Sequence, residues 1–155
     1  MVDLLFSPNG VGWTEIALTL NRVAVGAFFM FSGYHKLFNV ERHRALVDEL
    51  KALGVPALGF NQWWVPSVEF SAGAAVFVGF MAPVAALGLL VIIMVAIATS
   101  GRQRIKLYMP IDKADRIDDW LYLPETLYGV MLIVVVLAGA GPYSLDAVIA
   151  GLVRT

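Results

Sequence analysis

Four long apolar stretches constrain the fold of this chain more than any other feature of its sequence. They run over about residues 13–38, 63–80, 83–99 and 121–138, and charged residues are rare in each of them. A helix that crosses a bilayer needs about 20 mainly apolar residues. Only 15% of the chain is charged, against roughly 25% in ordinary soluble domains. The pattern therefore predicts an all-α membrane protein, a single domain over residues 1–155 with four transmembrane helices.

The boundary between the second and third stretches lies at a predicted tight turn over residues 79–83. Read as one helix, the two stretches would be far longer than a bilayer core of about 30 Å, since a helix rises about 1.5 Å per residue. Pro83 suits the first turn of a following helix, because a proline there lacks only an N–H that has no partner within the helix. Two separate spans are therefore predicted.

The polar connection between the first two spans, residues 39–61, is predicted to contain a short amphipathic helix. Gly54 and Pro56 would end this helix. It would lie on the membrane surface or over the mouth of the bundle, while a helix packed on a partner loop would show the same pattern. A second charged connection, residues 101–120, mixes both signs and is predicted to be a solvated cap. The apolar face of the amphipathic helix consists of Leu46, Val47, Leu50 and Leu53.

The distribution of lysine and arginine predicts the orientation of the chain in the membrane. Four of these residues lie in or beside the first connection and five in the second, whereas residues 1–12 contain none. The positive-inside rule then places both connections in the cytoplasm and both termini outside. Because the N-terminus has no basic residue, no cleavable signal peptide is predicted. The expected location is the cytoplasmic (inner) membrane of a bacterium or archaeon.

Ionisable side chains inside predicted spans are the candidate site residues, because such side chains are costly in lipid and usually face the bundle interior. Glu69 lies five residues after Trp64, and Glu125 lies five residues after Trp120. Both carboxylates are therefore predicted about 7–8 Å below the cytoplasmic interface. Two carboxylates at one depth repel each other, so one should be protonated or both should have a cation nearby. The candidates are Arg22, Glu69, Glu125, His35 and Lys36.

The cation that neutralises the carboxylates is left open by the sequence. Arg22 lies 13 residues before His35, about 20 Å deeper along the helix axis. A long arginine side chain bridges part of that gap, so a pair between Arg22 and Glu69 competes with pairs from His35 or Lys36. A neutralised network that only fixes helix register explains these charges equally well. The functional alternative is a polar pocket that binds a small head group, such as a quinone ring, or relays protons.

Several function classes find little support in the composition. A net charge of −1 gives no basic excess for nucleic acid. The absence of cysteine excludes disulfides, thiol catalysis and iron–sulfur ligation by this chain. No haem is expected, because His43 lies in a connection and cannot face His35 at one depth. The acidic residues of 112–119 lack the turn glycine of a calcium loop, so no metal site is predicted.

Three short patterns follow one another along nearly the whole chain. The first is Arg22-x3-Gly26-x2-Phe29-x2-Ser32-Gly33-x2-Lys36-Leu37. The second is Glu69-x3-Gly73-x5-Gly79, followed by Ala85-Ala86 and Met94-x-Ala96. The third has Glu125 and ends in Gly139-Ala140-Gly141-Pro142-Tyr143-Ser144-Leu145-Asp146. In this order they resemble the DoxX/DoxD-like family of small four-helix membrane proteins.

The resemblance implies membrane-bound redox work. Members of this family are the small subunit of a thiosulfate:quinone oxidoreductase, and others belong to membrane oxidoreductase complexes that act in oxidative stress. No residue of this chain would carry thiosulfate chemistry by itself, so an accessory subunit with a quinone and with protein partners in the bilayer is expected. The alternatives are a small-solute transporter that uses the same polar centre and a purely structural membrane anchor.

Overall fold

Helices account for the architecture of the chain. The computed structural model describes residues 12–101, 104, 120–121 and 123–153. Within these residues there is no strand, which confirms the all-α prediction. Most of the predicted solvated connection over residues 101–120 lies outside the described residues. The helices are α1 (Trp13–Phe38), α2 (Val40–Ala52), α3 (Leu58–Val78), α4 (Ala82–Ala96, continued by a π-helix over Ile97–Gly101), α5 (Pro124–Ala138) and α6 (Leu145–Val153).

The helices α1 and α3 pack closely because glycines remove the side chains at their crossing. A Cβ atom at Gly26 would lie 2.5 Å from the backbone nitrogen of Phe77, and one at Gly73 would overlap the backbone nitrogen of Met30. Small residues allow such close approach between helices in a membrane. The residue pairs show that α1 and α3 run antiparallel, so the end of α1 lies beside the beginning of α3.

The core lies between four helices that contact one another in the cyclic order α1, α3, α4 and α5. Its largest fully buried aliphatic side chains come from all four: Val25, Val76, Leu89, Leu132 and Val135. Fully buried side chains of this kind contribute roughly 1.5–3 kcal/mol each where the alternative is water. In lipid the same contacts act through close packing. The result is a four-helix bundle with α2 and α6 outside the ring.

The outside of this bundle is apolar, as expected of a protein that faces lipid. Val84, Leu87, Val91 and Met94 of α4 are all exposed. By length and composition, α1 and the continuous helix Ala82–Gly101 could each cross a membrane, and α5 is a shorter apolar helix. The number of four spans, and the orientation of the chain, remain predictions.

The helix α2 forms where an amphipathic helix is predicted, and it covers one end of the bundle. Asn39 begins the helix, since its side chain accepts hydrogen bonds from the backbone N–H groups of Glu41 and Arg42. Leu46 and Leu50, on the predicted apolar face, are buried. The helix packs against α1 and α3, which places it over the mouth of the bundle.

Two helix boundaries and one whole helix differ from the predicted pattern. The helix α3 starts at Leu58, five residues earlier than predicted, because a helix also continues through polar residues at its end. The helix α5 starts at Pro124, where proline fixes φ and lacks a backbone donor. The nine-residue helix α6 was not predicted, because its apolar run is much shorter than a transmembrane span.

Candidate functional site

A cavity of about 730 Å³ opens at the end of the bundle that α2 covers. Its walls come from α1, α2, α3, α4 with the π-helix, and α5. Most of the lining is apolar, but it includes two carboxylates and two cations, namely Glu69, Glu125, Lys36 and Arg104. Three of these four residues were candidates from the sequence, and the predicted common depth of the two carboxylates agrees with their place in one cavity.

The first ion pair joins Lys36 of α1 to Glu69 of α3. The Lys36 ammonium donates to both carboxylate oxygens, with Nζ–O distances of 2.6 and 2.8 Å. The Ser32 hydroxyl, one turn away on the same face of α1, donates to the same carboxylate at 3.3 Å. The Glu69 side chain is only 6% exposed, whereas that of Lys36 is 29% exposed. Both oxygens of this carboxylate therefore have partners, and its charge is compensated.

The second ion pair joins Arg104 to Glu125, the second residue of α5. The Arg104 guanidinium donates to Glu125 Oε1. This pair is more accessible than the first, with side-chain exposures of 44% for Arg104 and 20% for Glu125. Glu125 Oε2 is buried and has no hydrogen-bond partner among the residues that the structure describes. The position of Glu125 in the first turn of α5 also favours its negative charge.

An aromatic cluster forms part of the apolar wall of the cavity. The rings of Phe28 and Tyr128 stack with a centroid distance of 3.9 Å and an interplanar angle of 22°. Phe29 meets Tyr128 edge to face, with a centroid distance of 6.0 Å. All three residues line the cavity, so the two ion pairs share it with flat apolar surfaces.

The π-helix over Ile97–Gly101 forms another side of the same cavity. The Thr99 hydroxyl donates to the carbonyl oxygen of Val95 at 2.7 Å, and the Ser100 hydroxyl donates to that of Ala96 at 3.1 Å. These hydroxyls supply donors where the helical register changes. All four of these residues line the cavity. Single π-helical turns are frequent at functional sites.

Arg22 lies at the opposite end of the bundle, and it does not pair with Glu69. Its Nη2 group donates to the carbonyl oxygen of Tyr143 at 2.7 Å, and the side chain is buried. A Cβ atom at Gly79 would overlap the guanidinium group, so the arginine is packed against the backbone there. The estimated separation of about 20 Å from the cytoplasmic end of α1 is therefore too large for this side chain to bridge.

Asp146 completes the arrangement around Arg22. Its carboxylate accepts hydrogen bonds from the backbone N–H groups of Met81 at 2.9 Å and Ala82 at 3.3 Å. Its own N–H donates to the carbonyl oxygen of Gly79 at 3.0 Å. Asp146 thus caps the start of α4 and ties α6 to the turn between α3 and α4. We call this group the clasp; it comprises Arg22, Gly79, Tyr143, Ser144 and Asp146.

Neither histidine lines the cavity. His35 is exposed and its ring lies against Tyr34, with a centroid distance of 5.7 Å. It follows that His35 points away from the pair formed by Lys36, since neighbouring residues of a helix differ by about 100° in direction. His43 Nδ1 lies 2.9 Å from the carbonyl oxygen of Lys36, which holds α2 against the end of α1.

Sequence reasoning missed Arg104, Ser32 and the aromatic cluster as parts of this site. Arg104 was counted only among the basic residues that determine orientation. The available signal was its place three residues beyond Gly101 at the end of the third span, on the side where Glu125 begins the fourth. Among the residues that the structure describes, no group of His, Cys, Asp and Glu side chains could hold a metal ion.

Comparison with known proteins identifies the family. No curated protein and no solved structure matches the chain. A family model described as DoxX matches residues 17–102, which is more than half of the 155 residues. The match includes Lys36 and Glu69 and ends before Arg104 and Glu125. The chain therefore belongs to the DoxX family of membrane proteins.

Proposed function

We propose that this protein binds the ring of a quinone in the cavity beside α2, as a small subunit of a membrane oxidoreductase complex. The observation that carries the proposal is the presence of two neutralised ion pairs and an aromatic wall in one cavity. Such a cavity suits a flat amphiphilic molecule with a few polar atoms. Ligand pockets are typically about 300–1,000 Å³, mainly apolar, with a few placed polar groups.

The chemistry of the lining supports a neutral ring with hydrogen-bonding oxygens. The ammonium of Lys36, the hydroxyl of Ser32 and the guanidinium of Arg104 can all donate hydrogen bonds to carbonyl oxygens. Because each cation is paired with a carboxylate, the cavity carries no net charge from these four groups. A stacked pair of rings, Phe28 and Tyr128, offers a surface for a planar ligand.

The proposed topology has four spans, both long connections in the cytoplasm and both termini outside. The exposed apolar side chains of α4 and the concentration of lysine and arginine in the two connections support it. In this orientation the cavity opens near the cytoplasmic face of the inner membrane of a bacterium or archaeon. The chain has no cysteine and so supplies no iron–sulfur ligands, which is why we assign electron transfer to partner subunits.

A transporter that uses the same polar centre receives less support from the geometry. At the far end of the bundle, Arg22 packs against the backbone of Gly79, and the cavity does not include the clasp. A purely structural anchor would need neither the cavity nor its unpartnered carboxylate oxygen. Quinone binding therefore accounts for more of the observed features than either alternative.

Equilibrium binding tests this proposal. Purified protein in lipid nanodiscs would be titrated with short-chain ubiquinone and menaquinone analogues, alongside the Glu69→Gln and Glu125→Gln variants. We expect each variant to bind at least about tenfold more weakly, a loss of about 1.4 kcal/mol. Glu15→Gln, a matched change outside the cavity, should leave the affinity unchanged. Equal binding by the wild type and both cavity variants would overturn the site assignment.

A further inference from the structure

The helix α6 presents an unpartnered apolar stripe. Its larger side chains recur at the spacing of one helical face, and they are between 40% and 71% exposed. None of the nine residues of α6 is buried. The opposite face carries the small residues Ala147, Ala150 and Gly151. The stripe consists of Leu145, Val148, Ile149 and Leu152.

The clasp determines the position of this stripe. The carboxylate and the N–H of Asp146 bind the turn between α3 and α4, so the first turn of α6 lies at the start of α4. The continuous helix Ala82–Gly101 is one of the two helices that are long and apolar enough to cross a membrane. The helix α6 therefore begins at the depth where a spanning helix leaves the apolar core.

The stripe is continuous with an apolar surface that faces lipid. Phe80, Met81 and Val84, at the turn and the start of α4, are all exposed, and Met81 is hydrogen-bonded to Asp146 in the first turn of α6. Tyr143, just before α6, is also exposed. Tyrosine is enriched where a membrane meets water.

We infer that α6 is an in-plane membrane helix, with its stripe inserted at the boundary between lipid head groups and acyl chains. Nine residues span about 13–14 Å at 1.5 Å per residue, well short of a bilayer core of about 30 Å. Lipid is the occupant that the surface favours, because the stripe is wholly aliphatic. The cores of protein interfaces are instead enriched in aromatic residues, methionine and arginine.

This inference is independent of quinone binding, because α6 lies at the end of the bundle opposite the cavity. It assigns the helix a role as an anchor that holds the clasp at the membrane surface. A partner subunit or a second copy of the chain covering the same stripe would give a different pattern of accessibility.

Site-directed fluorescence tests the inference, and the absence of native cysteine makes single labelling clean. Single cysteines would replace Ile149 and Leu152 on the stripe and, as matched controls, Ala147 and Ala150 on the opposite face. Each would be labelled with an environment-sensitive nitrobenzoxadiazole dye. The protein would be in nanodiscs, where both membrane surfaces are accessible, with either aqueous iodide or lipids carrying a shallow nitroxide as quencher.

We expect the lipid nitroxide to quench the stripe positions at least about twofold more than the controls, and iodide to show the reverse order. Equal quenching of all four positions by iodide would place the stripe in water and overturn the inference. Protection of the stripe from both quenchers would also overturn it, since a protein would then cover the helix. Because all four sites are exposed, the substitutions should leave thermal unfolding in nanodiscs unchanged.

Discussion

The two ends of the bundle use buried charge in opposite ways. At the clasp, charged side chains bind backbone groups: Arg22 binds a carbonyl oxygen, and Asp146 binds two N–H groups. At the cavity, charged side chains bind each other and surround open space. The comparison indicates that a buried charge in a membrane helix marks a binding site only where it leaves room for a ligand.

The energetic reason for the difference lies in the backbone. The first N–H groups of a helix have no partner within the helix, and in lipid an unsatisfied group costs several kcal/mol. Asp146 removes that cost at the start of α4. Glu69 satisfies no backbone group, because its hydrogen bonds come from Lys36 and Ser32. We therefore assign stability to the clasp and ligand binding to the cavity.

The largest predicted effect concerns the contact that joins the two ends. Gly73→Val would place a side chain against the backbone of Met30 and separate α1 from α3. We expect a loss of about 3 kcal/mol or more in the free energy of unfolding, at the upper end of overpacking costs. Unfolding by sodium dodecyl sulfate in mixed micelles, followed by circular dichroism, would measure it. Gly88→Val, at a site with nothing within 4 Å, should change the value by less than about 0.5 kcal/mol.

The next largest effect separates the clasp from the cavity. Asp146→Ala removes the acceptor for two N–H groups, so we expect a loss of about 2 kcal/mol in the free energy of unfolding. Quinone affinity should stay within about twofold. Asp146→Asn keeps one acceptor oxygen and should lose less. A large drop in affinity at full occupancy of the folded state would show that the two ends are not separate.

A smaller effect is expected at the first ion pair of the cavity. A double-mutant cycle with Lys36→Met and Glu69→Gln should give a coupling energy of about 1–2 kcal/mol, because the Glu69 carboxylate is buried and doubly bonded. The free energy of unfolding of the four proteins provides the measurement. A coupling near zero would mean that this pair resembles an exposed one.

The smallest effect is expected at the second pair. The corresponding cycle with Arg104→Gln and Glu125→Gln should give about 0.5 kcal/mol or less, since nearly half of the Arg104 side chain is exposed. Despite this small contribution to stability, Glu125→Gln should still weaken quinone binding. If coupling at the second pair exceeded that at the first, the comparison of the two pairs would be wrong.

Elements that depend on local sequence were predicted well. The bounds of α1 match residues 13–38, α2 covers the mouth of the bundle, and the turn has Pro83 in the first turn of α4. Helix ends are defined by nearby residues such as Asn39 and Pro83, which the sequence displays directly. The helix α6 was missed because its stability comes from the clasp, a contact between distant parts of the chain.

The site was predicted in part, for a related reason. Depth along one helix follows from the rise per residue, so Glu69, Lys36 and Glu125 were placed at one end of the bundle. Partners across helices depend on rotation and on connections that a single sequence does not reveal. Arg22 therefore binds a backbone carbonyl instead of Glu69, His35 faces away, and Arg104 takes the place of an expected cation.

Photoaffinity labelling tests the central claim most directly. Wild-type protein in nanodiscs would be irradiated with an azido-quinone, digested and mapped by mass spectrometry. We predict adducts within residues 28–36 and 124–128, removed by excess unlabelled quinone and reduced in Glu125→Gln. Adducts spread over the exposed residues of α4 and unaffected by excess quinone would show that the cavity does not bind the ring.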